Sequence, residues 1–187
     1  MSLAAARILC LITLVALIAP WAVGLLLGHA LPLPPWALVP PGVRLSLFLL
    51  APAAMLVTGS HLRLGRVLAG LGLLLAALML LAAGIEALRG TEMVRGSSML
   101  DVLRPSTLTA LGIASLAASL FWRVPLRTRL DLSALLGIGA CALFFLALVG
   151  HFFGAVALTR DAQASDAVSS GLGAALLLAV ALAALAA

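Results

Sequence analysis

The side chains in this sequence that could do chemistry fall in matching places. Three apolar segments close with a small residue followed by a titratable one: Gly28-His29, Gly84-Ile85-Glu86 and Gly150-His151. The segments that follow them open with basic or hydroxyl residues: Arg44-Leu45-Ser46, Arg104-Pro105-Ser106-Thr107 and Asp166-Ala167-Val168-Ser169-Ser170. Imidazole and carboxylate groups can exchange protons, and a guanidinium can hold an anion in a fixed geometry. Were the segments paired as hairpins, His29, Arg44, Glu86, Arg104 and His151 would share one end of the molecule and line a ligand-binding outer vestibule, with Ser46, Ser106 and Ser169 beside them. A plainer reading covers the same residues. Hydroxyls at helix starts cap free N–H groups, and Pro105 suits an early helical position where no donor is needed, so these would be ordinary helix ends. His29 and His151 could ligate a haem or metal between two helices, yet no further ligand accompanies them, and neither metal nor cofactor is expected. Cys10 and Cys141 lie apart inside apolar segments, and they read as buried and inert.

The elements that must position these groups are unusually apolar. The chain has 187 residues, 65% hydrophobic and 9% charged, with a mean hydropathy of +1.29. A water-soluble domain must cover its surface with polar groups, and this composition cannot. Six apolar runs stand out, at about 8–28, 44–60, 67–88, 106–122, 132–153 and 168–187. A bilayer-crossing helix needs about 20 such residues, and in hydrocarbon only a helix satisfies its own backbone within one segment. The predicted fold is an all-α integral membrane protein, one domain of six transmembrane helices arranged as three helical hairpins, about 8–60, 67–122 and 132–187. The similar polar steps, recurring roughly every 60 residues, make the hairpin the repeating unit.

Several functions are disfavoured. Every ionisable residue lies at or beyond the end of an apolar run, whereas pumps, ion-coupled transporters and intramembrane hydrolases keep such groups within the membrane. The stretch from Arg89 to Pro105 is too short for a soluble catalytic domain, so no enzyme and no catalytic residue is expected. It reads as a packed connector, with an amphipathic turn or a ligand lid as the alternatives. The net charge is +5 and all basic residues are arginine. They occur in ones and twos rather than as a stripe, so nucleic acid is not an expected partner. The partner is the lipid bilayer, with a cytoplasmic signalling domain or protein, and a homodimer, as further expectations. Because the first run is long for a cleaved signal, it is expected to be retained.

Charge sets the orientation. With the N-terminus inside, Arg7, Arg63, Arg66, Arg123, Arg127 and Arg129 are cytoplasmic, concentrated in short loops where the positive-inside bias acts. Both termini are then cytoplasmic, in a bacterial inner membrane. Packing seams are expected at Gly24/Gly28, Gly150/Gly154, Ser115/Ser119 and the stripe Gly171, Ala175, Ala179, Ala183 and Ala187, because small residues let membrane helices approach closely. Pro20 and Pro52 mark bends, and Trp21, Trp36 and Trp122 read as interfacial anchors.

Two passages support a family likeness. The re-entry Arg104-Pro105-Ser106-Thr107-Leu108-Thr109-Ala110-Leu111-Gly112-Ile113-Ala114 and the Leu-rich helix ending Gly150-His151-Phe152-Phe153-Gly154-Ala155 resemble the multi-helix N-terminal membrane modules of bacterial sensor histidine kinases and diguanylate cyclases, over about residues 62–187. The resemblance implies a non-enzymatic sensory or regulatory module that passes a signal from the outer face or the membrane through its last helix to a cytoplasmic output domain or partner. Up to Ala187 there is no phosphoacceptor or cyclase motif, so the output would be a continuation or another chain. The alternatives are a small permease-like protein for a neutral solute and a structural subunit of a membrane complex.

Overall fold

Leu and Ala propagate helix well, so the segments built from them need explicit signals to start and stop. In the computed structural model, which describes residues 3–27, 39–57, 59, 61–89, 107–123, 131–152 and 171–185 and the side chains of all but 20–27, 86–89, 151–152 and 171, those signals are visible. One helix opens at Pro41, where a missing donor costs nothing, and its first turn closes with Arg44 N–H donating to the Pro40 carbonyl at 2.9 Å. Another opens behind Asp131, whose Oδ1 accepts the Ser133 N–H at 3.0 Å as an N-cap. A third follows His61, whose carbonyl accepts from Gly65 N–H at 3.1 Å.

The described residues form six helices and no strand: α1 (Leu3–Leu27), α2 (Pro41–Val57), α3 (Leu62–Arg89), α4 (Thr107–Phe121), α5 (Leu132–Phe152) and α6 (Gly171–Leu185). The all-helical class is as expected from the sequence. Two helices, α3 over Leu62–Ile85 and α5 over Leu132–Gly150, are long and apolar enough to cross a membrane; the other apolar stretches are shorter. Pro52 sits inside α2 without ending it, and α1 runs through Pro20.

Helices adjacent in sequence pack together all round the molecule: α1 on α2, α2 on α3, α3 on α4, α4 on α5, α5 on α6 and α6 back on α1. In addition α2, α4 and α6 pack on one another. These three therefore form an inner triad, and α1, α3 and α5 each lie in a groove between two of its members. Burial follows the same plan. The outer helices bury one narrow stripe at helical spacing, with matching intervals: Ala6, Cys10, Thr13 and Leu17 on α1; Gly65, Ala69, Gly72 and Ala76 on α3; Ser133, Gly137, Ala140 and Phe144 on α5. The inner helices bury a broad face, again at matching intervals: Leu47, Leu50, Ala51 and Ala54; Ile113, Leu116, Ala117 and Leu120; Leu177, Val180, Ala181 and Ala184. All twelve inner residues belong to one buried cluster.

Small residues set the spacing between the two layers. A Cβ at Gly72 would stand 2.7 Å from Leu50 on α2 and 3.8 Å from Ala117 on α4; one at Gly137 would stand 2.7 Å from Leu185 on α6 and 3.2 Å from the Ser119 hydroxyl on α4. At Gly112 it would meet the Phe144 ring at 2.5 Å. Each contact seats an outer helix closer than an alanine would allow.

Two expected seams are corrected here. On α6 the expected stripe holds at Ala183, which is buried, but not at Ala175, which is exposed, or Ala179, which is half-buried; the packed face runs through Leu177, Val180, Ala181 and Ala184. Steps of four residues overshoot a helical turn of 3.6, so a strict four-residue stripe winds off any single face within three steps. In the pair Ser115/Ser119 only Ser119 is buried. Gly150 is buried, whereas Gly154, Gly28 and the surroundings of Gly24 lie outside the described residues and side chains.

Replacing Gly112 by Ala should force the fully buried Phe144 ring to shift and cost about 1–3 kcal/mol of stability, as overpacking of a filled core does. Gly139→Ala, where a Cβ would meet nothing within 4 Å, should be neutral or stabilising through helix propensity. Thermal unfolding of the two variants in one detergent measures the contrast, and Phe144→Leu should restore the first.

Candidate functional site at the arginine rim

The antiparallel packing brings the N-terminal ends of α1, α3 and α5 together with the C-terminal ends of α2, α4 and α6. Around this end the structure builds a chain of hydrogen bonds that spacing alone did not suggest. Arg66, in the second turn of α3, donates from Nη2 to the Arg123 carbonyl just past α4, at 2.8 Å. Arg123 in turn donates from Nη1 to the Ala184 carbonyl in the last turn of α6, at 2.7 Å. Three helices far apart in sequence are thus joined by two guanidinium-to-carbonyl bonds.

The chemistry explains the choice of partners. The last carbonyls of a helix lack intrahelical donors and carry the negative end of its dipole, so a cation satisfies them on both counts. α6 has no basic residue of its own in its last turn, and Arg123 supplies the charge from α4. The planar guanidinium has five donors, so one head can serve a carbonyl and still face a carboxylate. Burial pushes the Arg123 guanidinium below its usual range, and nearby Asp131 opposes that shift. The Nε of Arg66 is buried without a partner.

A second link at this end is neutral. The buried Ser119 hydroxyl on α4 donates to the Ser133 carbonyl at the start of α5, at 2.6 Å. Asp131 caps that helix start. Arg7 on α1 reaches the turn after α2, where a Cβ on Gly59 would stand 3.3 Å from its Nη2. Arg7 also borders, with Ala6, Cys10, Ala54, Met55 and Ala183, a space too small to admit a water molecule. His61 and Arg63, both exposed, line an open depression of about 440 Å³ at the start of α3.

The expected outer vestibule lies at the opposite end. Arg44 begins α2, Glu86 falls in the last turn of α3 and His151 in the last turn of α5, so the backbone brings these three to one end. Arg44 donates from Nη2 to the Val39 carbonyl at 3.1 Å. The side chains of Glu86 and His151, and all of His29, Arg104, Ser106 and Ser169, lie outside the described residues. Ser46 is corrected: it is fully buried, and its hydroxyl donates to the Gly42 carbonyl at 2.9 Å, bonded back within α2 rather than capping it or lining a vestibule. It stands too far into the helix to reach a free N–H of the first turn. Thr13 does the same on α1, donating to the Leu9 carbonyl at 2.9 Å. Trp122 is exposed and meets Phe121 edge to face, with ring centroids 5.9 Å apart.

Sequence reading located the rim arginines only as topology signals. It missed the bonds of Arg66 and Arg123 because their acceptors are backbone carbonyls, which no motif marks. It also passed over His61. Among the described residues no group of three or more His, Cys, Asp or Glu gathers as a metal site, and the buried polar side chains are all hydroxyls.

Removing the Arg123 head strands the Ala184 carbonyl. Arg123→Ala should cost about 1–3 kcal/mol, as for a lost charged hydrogen bond, and should speed amide exchange in the last turn of α6 while leaving the middle of α3 protected. Hydrogen–deuterium exchange in detergent reads both regions at once. No protein-family model, curated protein or solved structure matches the chain.

Proposed function

We propose that the chain is a six-crossing integral membrane protein of a bacterial inner membrane, with both termini cytoplasmic, acting as a non-enzymatic sensory or regulatory module. The membrane part rests on what faces outward. Within α3 and α5 only 33% and 28% of the membrane-length windows are buried, unlike a core helix of a soluble protein. Their outer faces carry Leu64, Val67, Leu71, Leu74, Leu78 and Leu81, and Leu132, Leu135, Ile138, Phe145 and Leu146. An apolar exterior of this extent belongs in lipid. The remaining helices pack alongside α3 and α5 with common ends, so a slab that holds those two holds the others, with short flanks completing the crossings. Arg7, Arg63, Arg66 and Arg123 share one end, which the positive-inside bias makes cytoplasmic.

The functional part is carried by one observation: the bonds from Arg66 to Arg123 and from Arg123 to Ala184. They tie α3 and α4 to the final turn of α6 at the cytoplasmic rim. A displacement of the first two helices is thereby passed to the third, which is what a module delivering a signal to a cytoplasmic domain or partner requires. The permease alternative fares less well, because the triad axis is filled by fully buried Leu47, Leu50, Ile113, Leu116, Leu177 and Val180.

Single cysteines tested with a membrane-impermeant thiol reagent check the topology. Positions 29, 86 and 151 should label from outside, and position 63 only after lysis. Spin labels at the exposed positions 64 and 182 should give one narrow distance in the wild type and a broadened one in Arg123→Ala. An unchanged distribution, or flux of a neutral solute through proteoliposomes well above empty vesicles, would sink the coupling reading.

A further inference from the structure

We infer that Arg123 is a two-position latch: its guanidinium moves between the Ala184 carbonyl that ends α6 and the Asp131 carboxylate that starts α5, releasing α6 when it takes the second seat. The inference rests on the coupling reading above and supplies its release step. Three helix ends converge on this residue. The Ser119 hydroxyl, in the last turn of α4, donates to the Ser133 carbonyl at 2.6 Å, which holds the start of α5 against the end of α4. A Cβ on Gly137, one turn into α5, would stand 3.2 Å from that same hydroxyl and 2.7 Å from Leu185, the chain neighbour of Ala184. The Trp122 N–H still donates to the Ala118 carbonyl at 2.9 Å, so the helical path continues past Phe121 and sets Arg123 about one turn beyond Ser119. Asp131 therefore stands across from Arg123 at the edge where α6 ends, within electrostatic reach of its guanidinium.

The base of the latch is fixed and its head is not. Arg66 holds the Arg123 carbonyl at 2.8 Å, while the Arg123 head donates to the Ala184 carbonyl at 2.7 Å from the end of a long side chain that can swing without moving a helix. At the second seat, the Asp131 Oδ1 accepts the Ser133 N–H at 3.0 Å, and a carboxylate has another oxygen with which to accept a guanidinium. The two seats differ in kind. The carbonyl carries the partial charge of a helix dipole and the carboxylate a full charge, but Asp131 is exposed, where water screens an ion pair. Closely matched seats let a small displacement of α4 against α5 or α6 decide which one is filled.

Hydrogen–deuterium exchange of the full chain in lipid nanodiscs tests the latch through Asp131→Asn, which removes the charge and keeps a good N-cap. With the second seat neutralised, the last turn of α6 should exchange about threefold more slowly, the scale of one exposed ion pair, and the start of α5 should be unchanged. In an Arg123→Gln background the same substitution should leave α6 as it was. An unchanged or faster α6 in Asp131→Asn overturns the latch, as does equal slowing in the Arg123→Gln background. Arg123→Gln alone separates the two claims. If it loosens the last turn of α6 while Asp131→Asn does nothing, only the latch fails; if it leaves α6 unchanged, the coupling reading beneath the latch fails with it.

Discussion

Close approach between apolar helices is the constraint on which the rest of this structure depends. In the membrane setting proposed above, burying Leu against Leu gains little over leaving it in lipid, and cohesion must come from contact quality and from hydrogen bonds. The outer helices meet that demand with stripes of small residues. Gly65, Ala69, Gly72 and Ala76 on α3 bring its backbone down to Val57 and Leu50, where a Cβ at Gly65 or Gly72 would stand only 2.7 Å from each. Dispersion falls steeply with separation, so an added methyl between these helices would forfeit contacts along the whole seam. The large residues are then free to face outward, and they do.

The same constraint decides where polarity can go. A hydroxyl in the packed interior needs an acceptor, and the nearest is a carbonyl one turn back, which Thr13 and Ser46 use. Charge cannot be treated so cheaply, and the described arginines stand at or near the helix ends. There it is arranged rather than scattered: guanidinium groups take the helix-end carbonyls that the apolar core cannot satisfy. The rim links are directional and long-range in sequence, whereas the hydroxyl bonds of Thr13 and Ser46 stay within one helix. Helix positions are thus set by packing, and their relative sliding is limited by the arginines.

How much of this could be read from residues alone depends on the signal each feature leaves. Helix number and approximate bounds were legible, since runs of Leu and Ala broken by Pro, Gly and Arg admit few other structures. The expected division into three hairpins rested on polar steps such as Gly84-Ile85-Glu86 and Gly150-His151, whereas the structure packs each helix on its sequence neighbours with no hairpin pair set apart. The true seam on α6 was not legible, because Gly and Ala are so frequent that a four-residue spacing arises on every face, and only the neighbours decide which face is buried. Ser46 looked like a cap from its place behind Arg44, and three-dimensional placement of the helix start at Pro41 moved it inside. The arginine chain left no signal because a backbone carbonyl has no letter in the sequence.

The near-threefold arrangement of the helices also shows where the equivalence fails. Between α4 and α5 the Ser119 hydroxyl bridges to Ser133, and between α4 and α6 Arg123 reaches Ala184. Around α3 the Gly65 and Gly72 contacts leave no space. The corresponding seat of α1, between α2 and α6, closes around Cys10, Ala54, Met55 and Ala183, leaving a space too small for a water molecule. From α1, Arg7 reaches the same end as the Ser119 and Arg123 links, its Nη2 3.3 Å from where a Cβ on Gly59 would stand, so each outer helix meets the inner triad with a polar group at that rim: Arg7 on α1, Arg66 on α3 and the Ser133 carbonyl on α5.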